Sequence, residues 1–293
     1  MNARRRAGWR RIIARTLLAI GVSAALAACT VARLAYPQAP HLAVWWIDGY
    51  ADLDDAQGAA LHTELDALWR WHRQQELPRW AALLREWQAL APGALSGEQV
   101  CRQFDGVRER LDALGERAVP SLARLATQLT PEQLQHLARR QSRSNRDFAR
   151  DFLRGDEAAR LERRTEQAVE RYERLYGRLS AAQRALVREQ LRASPFDPAR
   201  TQAERERRQA DLRDTIARAQ ADPAQAEALV RAHLARFTDS PTPGYNEHLQ
   251  ALLRHGCAMA AAVHNSASPA QRAHALGVLK GYEDDARQLA LGR

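Results

Sequence analysis

Residues 96–114 read SGEQVCRQFDGVRERLDAL, and this stretch carries both of the signals that decide the fold. It opens with Ser96 followed three residues later by Gln99, which is the spacing of a capping box at a helix N-terminus. Apolar residues then recur three or four positions apart, at Val100, Phe104, Val107, Leu111 and Leu114. This spacing places apolar side chains on one face of an α-helix. The stretch therefore predicts an amphipathic helix that packs against other helices.

The capping-box spacing of Ser96 and Gln99 recurs along the chain. Ser, Thr or Asp is followed three residues later by Gln at Asp54 and Gln57, Ser96 and Gln99, Thr130 and Gln133, Ser180 and Gln183, Asp222 and Gln225, and Ser268 and Gln271. In a capping box the first side chain accepts a hydrogen bond from the third amide, and the glutamine reaches back to the first amide. We interpret all six pairs as helix N-termini.

The pattern between these starts is helical almost everywhere. Further apolar stripes recur at helical spacing, at Leu61, Leu65, Leu68 and His72, and at Ala168, Tyr172, Leu175 and Leu179. Sustained alternation, the mark of a strand, does not occur. We therefore expect an all-α fold, an elongated bundle of about eight to ten antiparallel helices without a sheet. Residues 45–293 are expected to form it as a single helical domain.

The N-terminus predicts where the protein resides. Six arginines precede an apolar run from Thr16 to Leu26, and Leu26-Ala27-Ala28-Cys29 follows. A permanent transmembrane helix needs about 20 apolar residues, so this run is better interpreted as a cleaved signal peptide over residues 1–28. The four residues resemble the lipobox of bacterial lipoproteins. That resemblance implies acylation of Cys29.

Acylation would fix the protein to a membrane. Each buried methylene contributes about 0.8 kcal/mol to membrane binding, so several acyl chains attach the protein stably, whereas a single acyl chain gives only marginal attachment. By resemblance to Gram-negative sorting, Thr30 implies the outer membrane, with the domain facing the periplasm. Residues 29–44 are expected to be the lipidated cysteine and a tether, because Pro37 and Pro40 disfavour a helix over residues 36–40.

The charge balance argues against a nucleic-acid partner. The formal charge is +9, but all six charges of residues 1–28 are positive and would leave with the signal peptide. The mature chain then carries only +3. We therefore expect no nucleic-acid binding, although a basic chain invites that hypothesis.

The cysteines leave one pairing open. With Cys29 acylated, Cys101 and Cys257 remain as an even pair in an oxidising compartment. They form either a disulfide or two unrelated buried thiols, because sequence does not give their separation.

Residues 44–87 contain all six tryptophans of the mature chain and supply the candidate binding surface. We assign to that surface Trp45, Trp46, Trp69, Trp71, His72, Arg73 and Glu76. In one interpretation the tryptophans are the aromatic core of a helical hairpin. In the other, some of them line a groove for peptide, lipid or glycan.

His72 and Glu76 lie one helical turn apart, so they could share a metal or act as an acid–base pair. A zinc site needs three or four ligands, however. The simpler expectation is that Glu76 pairs with Arg73 or Arg79 while His72 packs beside tryptophan. A second group of metal-ligand types near the C-terminus lacks tight spacing: His248, His255, Cys257, Met259 and His264. We expect no metal and no cofactor.

Two resemblances add to this interpretation. The stretches 45–48, 53–57, 71–73 and 76–79 resemble an uncharacterised family of proteobacterial lipoproteins, defined only by a domain of unknown function. Residues 129–133, LTPEQ, fit an LTxxQ motif and are similar to periplasmic helical chaperones of the Spy and CpxP type. This second resemblance implies binding without covalent chemistry.

These observations favour a lipid-anchored cell-envelope protein with a helical, chaperone-like binding domain and no catalysis. Its partners would be the membrane, through the acyl chains on Cys29, and other envelope proteins or unfolded clients. A peptidoglycan-active enzyme is one alternative, although the Glu-Ser and Gly-Leu-Met-Gln stretches of lytic transglycosylases do not occur. A metal-binding envelope sensor, resting on the scattered histidines, is the other.

Overall fold

A computed structural model describes residues 35–292, and this part of the chain contains helices and no strand. The α-helices are α1 (Ala39–Ala51), α2 (Asp55–Trp71), α3 (Leu77–Leu90), α4 (Gly97–Gln128), α5 (Pro131–Phe148), α6 (Glu157–Tyr176), α7 (Ala181–Arg192), α8 (Pro198–Ala221), α9 (Ala226–Thr238), α10 (Tyr245–Asn265) and α11 (Pro269–Ala290). A π-helical turn, His72–Glu76, joins α2 to α3, and another, Ala149–Leu153, extends α5. Short 3-10 turns occupy Tyr36–Gln38 and Pro223–Gln225. The predicted all-α bundle is confirmed.

Five of the six capping boxes form, and they begin α2, α4, α5, α7 and α11. The box expected at Asp222 and Gln225 is wrong. Asp222 has φ −138° and ψ 85°, and its side chain makes no capping hydrogen bond. The five caps that form are extended, with ψ between 158° and 170°. At Asp222 the chain turns into a 3-10 turn first, so the side chain is not aimed at the amides.

The tether expected over residues 29–44 is wrong for the part that the structure describes. Tyr36–Gln38 is a 3-10 turn, and α1 begins at Ala39. Pro37 and Pro40 lie in the first two positions of these helices. Proline is tolerated there because those positions need no N–H donor. Within the described residues the chain is therefore helical from Tyr36 onward, and the predicted signal peptide and Cys29 lie outside this part.

The long helix α4 connects two hydrophobic clusters. Its C-terminal half buries Val119, Ala123 and Ala126 against α1, α5, α8 and α9. The second cluster lies between α6, α7, α10 and α11, around Val187 and Val263. A disulfide between Cys101 and Cys257 joins α4 to α10, so the structure forms the pairing that the sequence left open. This one helix therefore links both ends of the bundle.

The stripe predicted on the N-terminal half of α4 is only partly buried. Phe104 is 42% exposed and Leu111 is 57% exposed. Phe104 meets Trp87 edge-on, with ring centroids 6.4 Å apart, at a cavity of about 160 Å³ between α3, α4, α6, α10 and α11. The neighbouring helices therefore leave this half of α4 less covered than the C-terminal half.

Two pairs of capping glutamines cross-link distant helix turns. The Gln133 amide nitrogen donates to the Gln57 side-chain oxygen at 2.6 Å and to the Asp52 carbonyl at 2.7 Å. At the other end of the bundle, the Gln183 amide donates to Gln271 at 2.9 Å. These four glutamines thus close their own caps and also hold one helix start against another.

Candidate functional site

An open apolar groove lies between α1, α4, α5, α8 and α9. Its volume is about 430 Å³, within the range of about 300 to 1,000 Å³ that is usual for ligand pockets. Its lining is mainly hydrophobic and includes Trp46, Ile47, Tyr50, Leu122, Leu125, Leu137, Leu212, Ile216, Val230 and Leu234. We call this feature the apolar groove.

The groove exists because small residues form the floor beneath larger ones. Ala126 is buried under the groove, so α4 packs closely on its neighbours while the Leu122 and Leu125 side chains remain half-buried. From α8 and α9, Leu212 and Leu234 are likewise only half-buried. Apolar area left facing water is unfavourable, and a partner that covers it recovers about 25 cal/mol per Å².

Aromatic rings of α1 form one edge of the groove. Trp46 is 60% exposed, and its ring centroid lies 5.0 Å from that of Tyr50. The Arg140 guanidinium lies 5.3 Å from the Tyr50 ring centroid. Tyr50 is therefore held on both sides, and Trp46 remains available to a ligand.

Polar side chains on the rim are hydrogen-bonded to one another. Asn145 and Gln209 exchange amide hydrogen bonds of 2.7 and 2.9 Å, and Arg205 donates to the Ser144 hydroxyl at 3.0 Å. A pairing between Arg213 and Gln141 continues this row across α5 and α8. Most of these rim groups are paired with one another, whereas the buried Nε of Arg205 has no hydrogen-bond partner.

One histidine–aspartate pair stands beside the groove. His233 Nδ1 lies 2.6 Å from Asp211 Oδ2, and Arg236 Nε donates to Asp211 Oδ1 at 2.9 Å. Burial works to raise the pKa of Asp211, but hydrogen bonds from His233 and Arg236 outweigh it, and the pKa falls below its ordinary value. Within residues 35–292, no hydroxyl or thiol hydrogen-bonds to His233 Nε2.

The seven residues of the predicted binding surface do not form one surface. Trp45 and Trp46 are exposed on α1, while Glu76 is fully buried. The remaining four, Trp69, Trp71, His72 and Arg73, are half-buried. None of the six tryptophans in the described chain is fully buried, but Trp71 packs against the hydrophobic cluster of Leu61, Leu65 and Leu68, as the aromatic-core interpretation expects. Only Trp46 of this set lines the apolar groove.

Three of the half-buried residues hold the start of the folded chain. Tyr36 OH lies 2.8 Å from His72 Nδ1, and the Trp69 indole donates to the Tyr36 carbonyl at 3.0 Å. Trp69 also stacks on His72 with ring centroids 5.3 Å apart, and Arg73 lies over the Tyr36 ring. Burial raises the pKa of Tyr36 to about 12 and lowers that of His72, so Tyr36 donates to a neutral imidazole. We call this contact set the Tyr36 clamp.

Glu76 and His72 have separate partners. Glu76 accepts a 2.7 Å hydrogen bond from Arg79, and Arg110 Nε lies 3.6 Å from its second oxygen. This pairing with arginine and the stacking of His72 on Trp69 are the simpler expectation from the sequence. A buried carboxylate between two guanidiniums is an ion-pair site, and removing one partner would leave an uncompensated charge.

The C-terminal metal-ligand types are also structurally engaged. His264 Nε2 lies 2.9 Å from the Gly93 carbonyl, and its Nδ1 lies 2.9 Å from Tyr176 OH. His255 contacts the Gln190 carbonyl at 2.7 Å, and Cys257 is in the disulfide. In the part of the chain that is described, no three His, Cys, Asp or Glu residues cluster in a way that could hold a metal ion.

Most of the groove was not predicted from the sequence. Leu122, Leu212 and Leu234 come from helices far apart in the chain, and each fits an ordinary amphipathic stripe. The one local signal is Tyr50, which follows Trp46 by four residues and so shares its helix face.

Comparison with known proteins identifies the family. Residues 49–259 match a family of unknown function, DUF6279, and the chain belongs to it. The match spans α2 to α9 completely and therefore covers most of the groove. No curated protein and no solved structure matches the chain. Among the described residues, no helix is both long and apolar enough to span a bilayer.

Proposed function

We propose that the protein is a lipid-anchored cell-envelope protein whose helical domain binds exposed apolar segments of other polypeptides without catalysis. The observation that carries the proposal is the apolar groove, 430 Å³ in volume, with the exposed ring of Trp46 at its edge. Anchoring is supported by Leu26-Ala27-Ala28-Cys29 behind a basic and apolar N-terminus.

The chemistry of the groove suits side chains better than a charged small molecule. Its lining is rich in leucine, isoleucine and valine, so burial of apolar area drives binding and does not depend on the exact sequence of the ligand. Arg205 lines the groove, and its buried Nε has no hydrogen-bond partner, so it could donate to a carbonyl of a bound segment. Such a site favours broad selectivity for leucine-rich or aromatic segments, as in unfolded envelope proteins.

Two buried glutamates, Glu204 and Glu283, are poorly suited to the general-acid role of a peptidoglycan-cleaving enzyme. Burial works to raise the pKa of Glu204, but hydrogen bonds from Arg207, Thr242, Ser240 and Arg208 outweigh it and hold the pKa at about 2. The Gln88 hydrogen bond lowers the pKa of Glu283. A general acid at neutral pH needs a raised pKa, because it must be protonated to donate. The pKa values of Glu204 and Glu283 are lowered instead, which favours the deprotonated carboxylates.

Aggregation of a chemically reduced, unfolded lysozyme tests the proposal directly. The purified protein is expected to suppress light scattering, and Trp46→Asp is expected to lose most of that effect because it places a carboxylate at the groove edge. Tyr282→Asp is the matched control, since Tyr282 is an exposed aromatic on α11 that does not line the groove. Equal suppression by both variants, with unchanged melting curves, would refute binding in the groove.

A further inference from the structure

The outer face of α1 carries apolar side chains that nothing in the described chain covers. Leu42, Trp45 and Trp46 are 54%, 72% and 60% exposed. The spacing of three residues places Leu42 and Trp45 on one face of the helix, and Gly49 continues that face a turn after Trp45, whereas Trp46 is turned toward the apolar groove. Leu42 and Trp45 do not line the apolar groove, so binding a client there would leave them exposed.

The chain that precedes α1 limits what can cover this face. The Tyr36 clamp fixes Tyr36 to α2 and to the π-helical turn that follows it, three residues before α1 begins. Cys29 is seven residues upstream, and seven residues span at most about 25 Å when fully extended. By comparison, the 32 residues of α4 are about 48 Å long. Acylated Cys29 would therefore hold the domain against the bilayer with α1 at the near side.

The neighbouring surface has the charge that suits lipid headgroups. α5 packs on α1, with His136 at 3.4 Å from the Gly49 carbonyl and Arg140 over Tyr50. Arg139 and Arg143 follow His136 by three and seven residues, on the same side of α5, and both are exposed. Neither arginine takes part in an ion pair within residues 35–292, whereas His136 Nδ1 lies 3.7 Å from the Asp52 carboxylate. Arginines beside a membrane surface favour anionic lipids.

We infer that the Leu42–Trp45 face of α1 lies on the bilayer surface, with Trp45 at headgroup level and the apolar groove opening alongside the membrane. The inference rests on the lipid anchor proposed above. A bilayer is a better candidate than a second copy of this chain for covering the Leu42–Trp45 face. The segment between Cys29 and Tyr36 is short, and tryptophan is preferred at membrane–water interfaces.

Quenching by lipid tests the inference on the full acylated protein. The protein is reconstituted into vesicles of phosphatidylethanolamine and phosphatidylglycerol that carry bromine on their acyl chains. Brominated vesicles are expected to quench part of the tryptophan emission, and Trp45→Phe is expected to lose the larger part of that quenching. Trp87→Phe is the matched control, because Trp87 is half-buried beside Phe104 on another side of the bundle, and it is expected to retain the quenching.

Leu42→Asp supplies a second, independent test. It leaves every tryptophan in place, so a reduced quenching with an unchanged melting curve would show that the apolar face holds Trp45 at the lipid. Equal quenching of wild type and Trp45→Phe, or a Trp45 that iodide quenches freely in vesicles, would overturn the inference. Protection of Trp45 that depends on protein concentration in detergent would overturn it in favour of a second copy.

The mass of the mature protein separates the two failures. Acylated protein in which lipid does not quench Trp45 would contradict the contact of α1 with the bilayer but would leave the proposed lipid anchor standing. Protein without fatty acid would remove the anchor and the inference together, whereas the lysozyme assay reports on the groove in either case.

Discussion

At the residue scale, the capping glutamines show how one side chain serves two helices. Gln133 closes the cap of α5 and also donates to Gln57 and to the Asp52 carbonyl. A lost cap costs about 1 kcal/mol. A buried group that loses its partner costs about 1 to 3 kcal/mol more. The cross-link therefore raises the expected cost of removing Gln133 above that of an ordinary cap.

Gln133→Ala is expected to lower the free energy of unfolding by about 2 to 4 kcal/mol. Gln99→Ala is the matched control, because the Gln99 side chain closes an exposed cap and makes no cross-link. Its loss should cost about 1 kcal/mol. Urea denaturation of both variants measures the difference. Equal losses would show that the Gln57–Gln133 contact adds nothing to stability.

The pH dependence of stability should report on buried imidazoles. Burial lowers the pKa of His264, partly offset by its hydrogen bond to the Gly93 carbonyl, and burial also lowers the pKa of His72. The unfolded chain therefore binds more protons once the pH falls below the ordinary histidine pKa of 6.5. Stability is fully present above that pH and declines as the pH falls through it toward the lower folded pKa.

Urea midpoints at pH 7.5 and pH 5.5 are expected to differ, with the lower midpoint at pH 5.5. His264→Gln should reduce that difference, because glutamine keeps a donor and an acceptor without titrating. Protonation of His72 would account for the difference in urea midpoint that remains in the variant. An undiminished difference in the variant would assign the pH effect to other groups.

At the element scale, local signals were predictable and long-range ones were not. The caps at Ser96, Thr130 and Ser180 depend on residues three positions apart, so sequence alone predicted them. The proline-based tether failed because a proline that breaks a helix interior is harmless at its start. The groove was not predicted because its walls come from five helices, and the side on which a half-buried leucine faces is decided by packing.

The disulfide gives an element-scale prediction. It joins α4 to α10 across 156 residues of sequence, and on the chain-entropy model closing such a loop stabilises the fold by about 5 kcal/mol. Cys101→Ser is expected to lower the free energy of unfolding by up to that amount, measured by urea denaturation in oxidising buffer. Adding a reductant should weaken the wild type to the same level and leave the variant unchanged. A wild type insensitive to reduction would contradict a structural role for this bond.

At the scale of the whole molecule, the two exposed aromatic positions of α1 have different roles. Trp46 faces the apolar groove, and Trp45 faces away from it. The Tyr36 clamp places both beside the segment that leads to Cys29. If Cys29 carries the proposed anchor, the proposed membrane face of α1 and the groove would lie next to each other near the bilayer, an arrangement that suits capture of clients close to a membrane.

The central claim is that envelope polypeptides occupy the apolar groove, and photo-crosslinking in intact cells tests it most directly. A photoreactive residue is placed at Trp46, and in a parallel strain at Tyr282, which is similarly exposed. The account predicts crosslinks from position 46 to a range of envelope polypeptides, and few or none from position 282. Equal labelling from both positions, or none from position 46 in a folded and acylated protein, would contradict it.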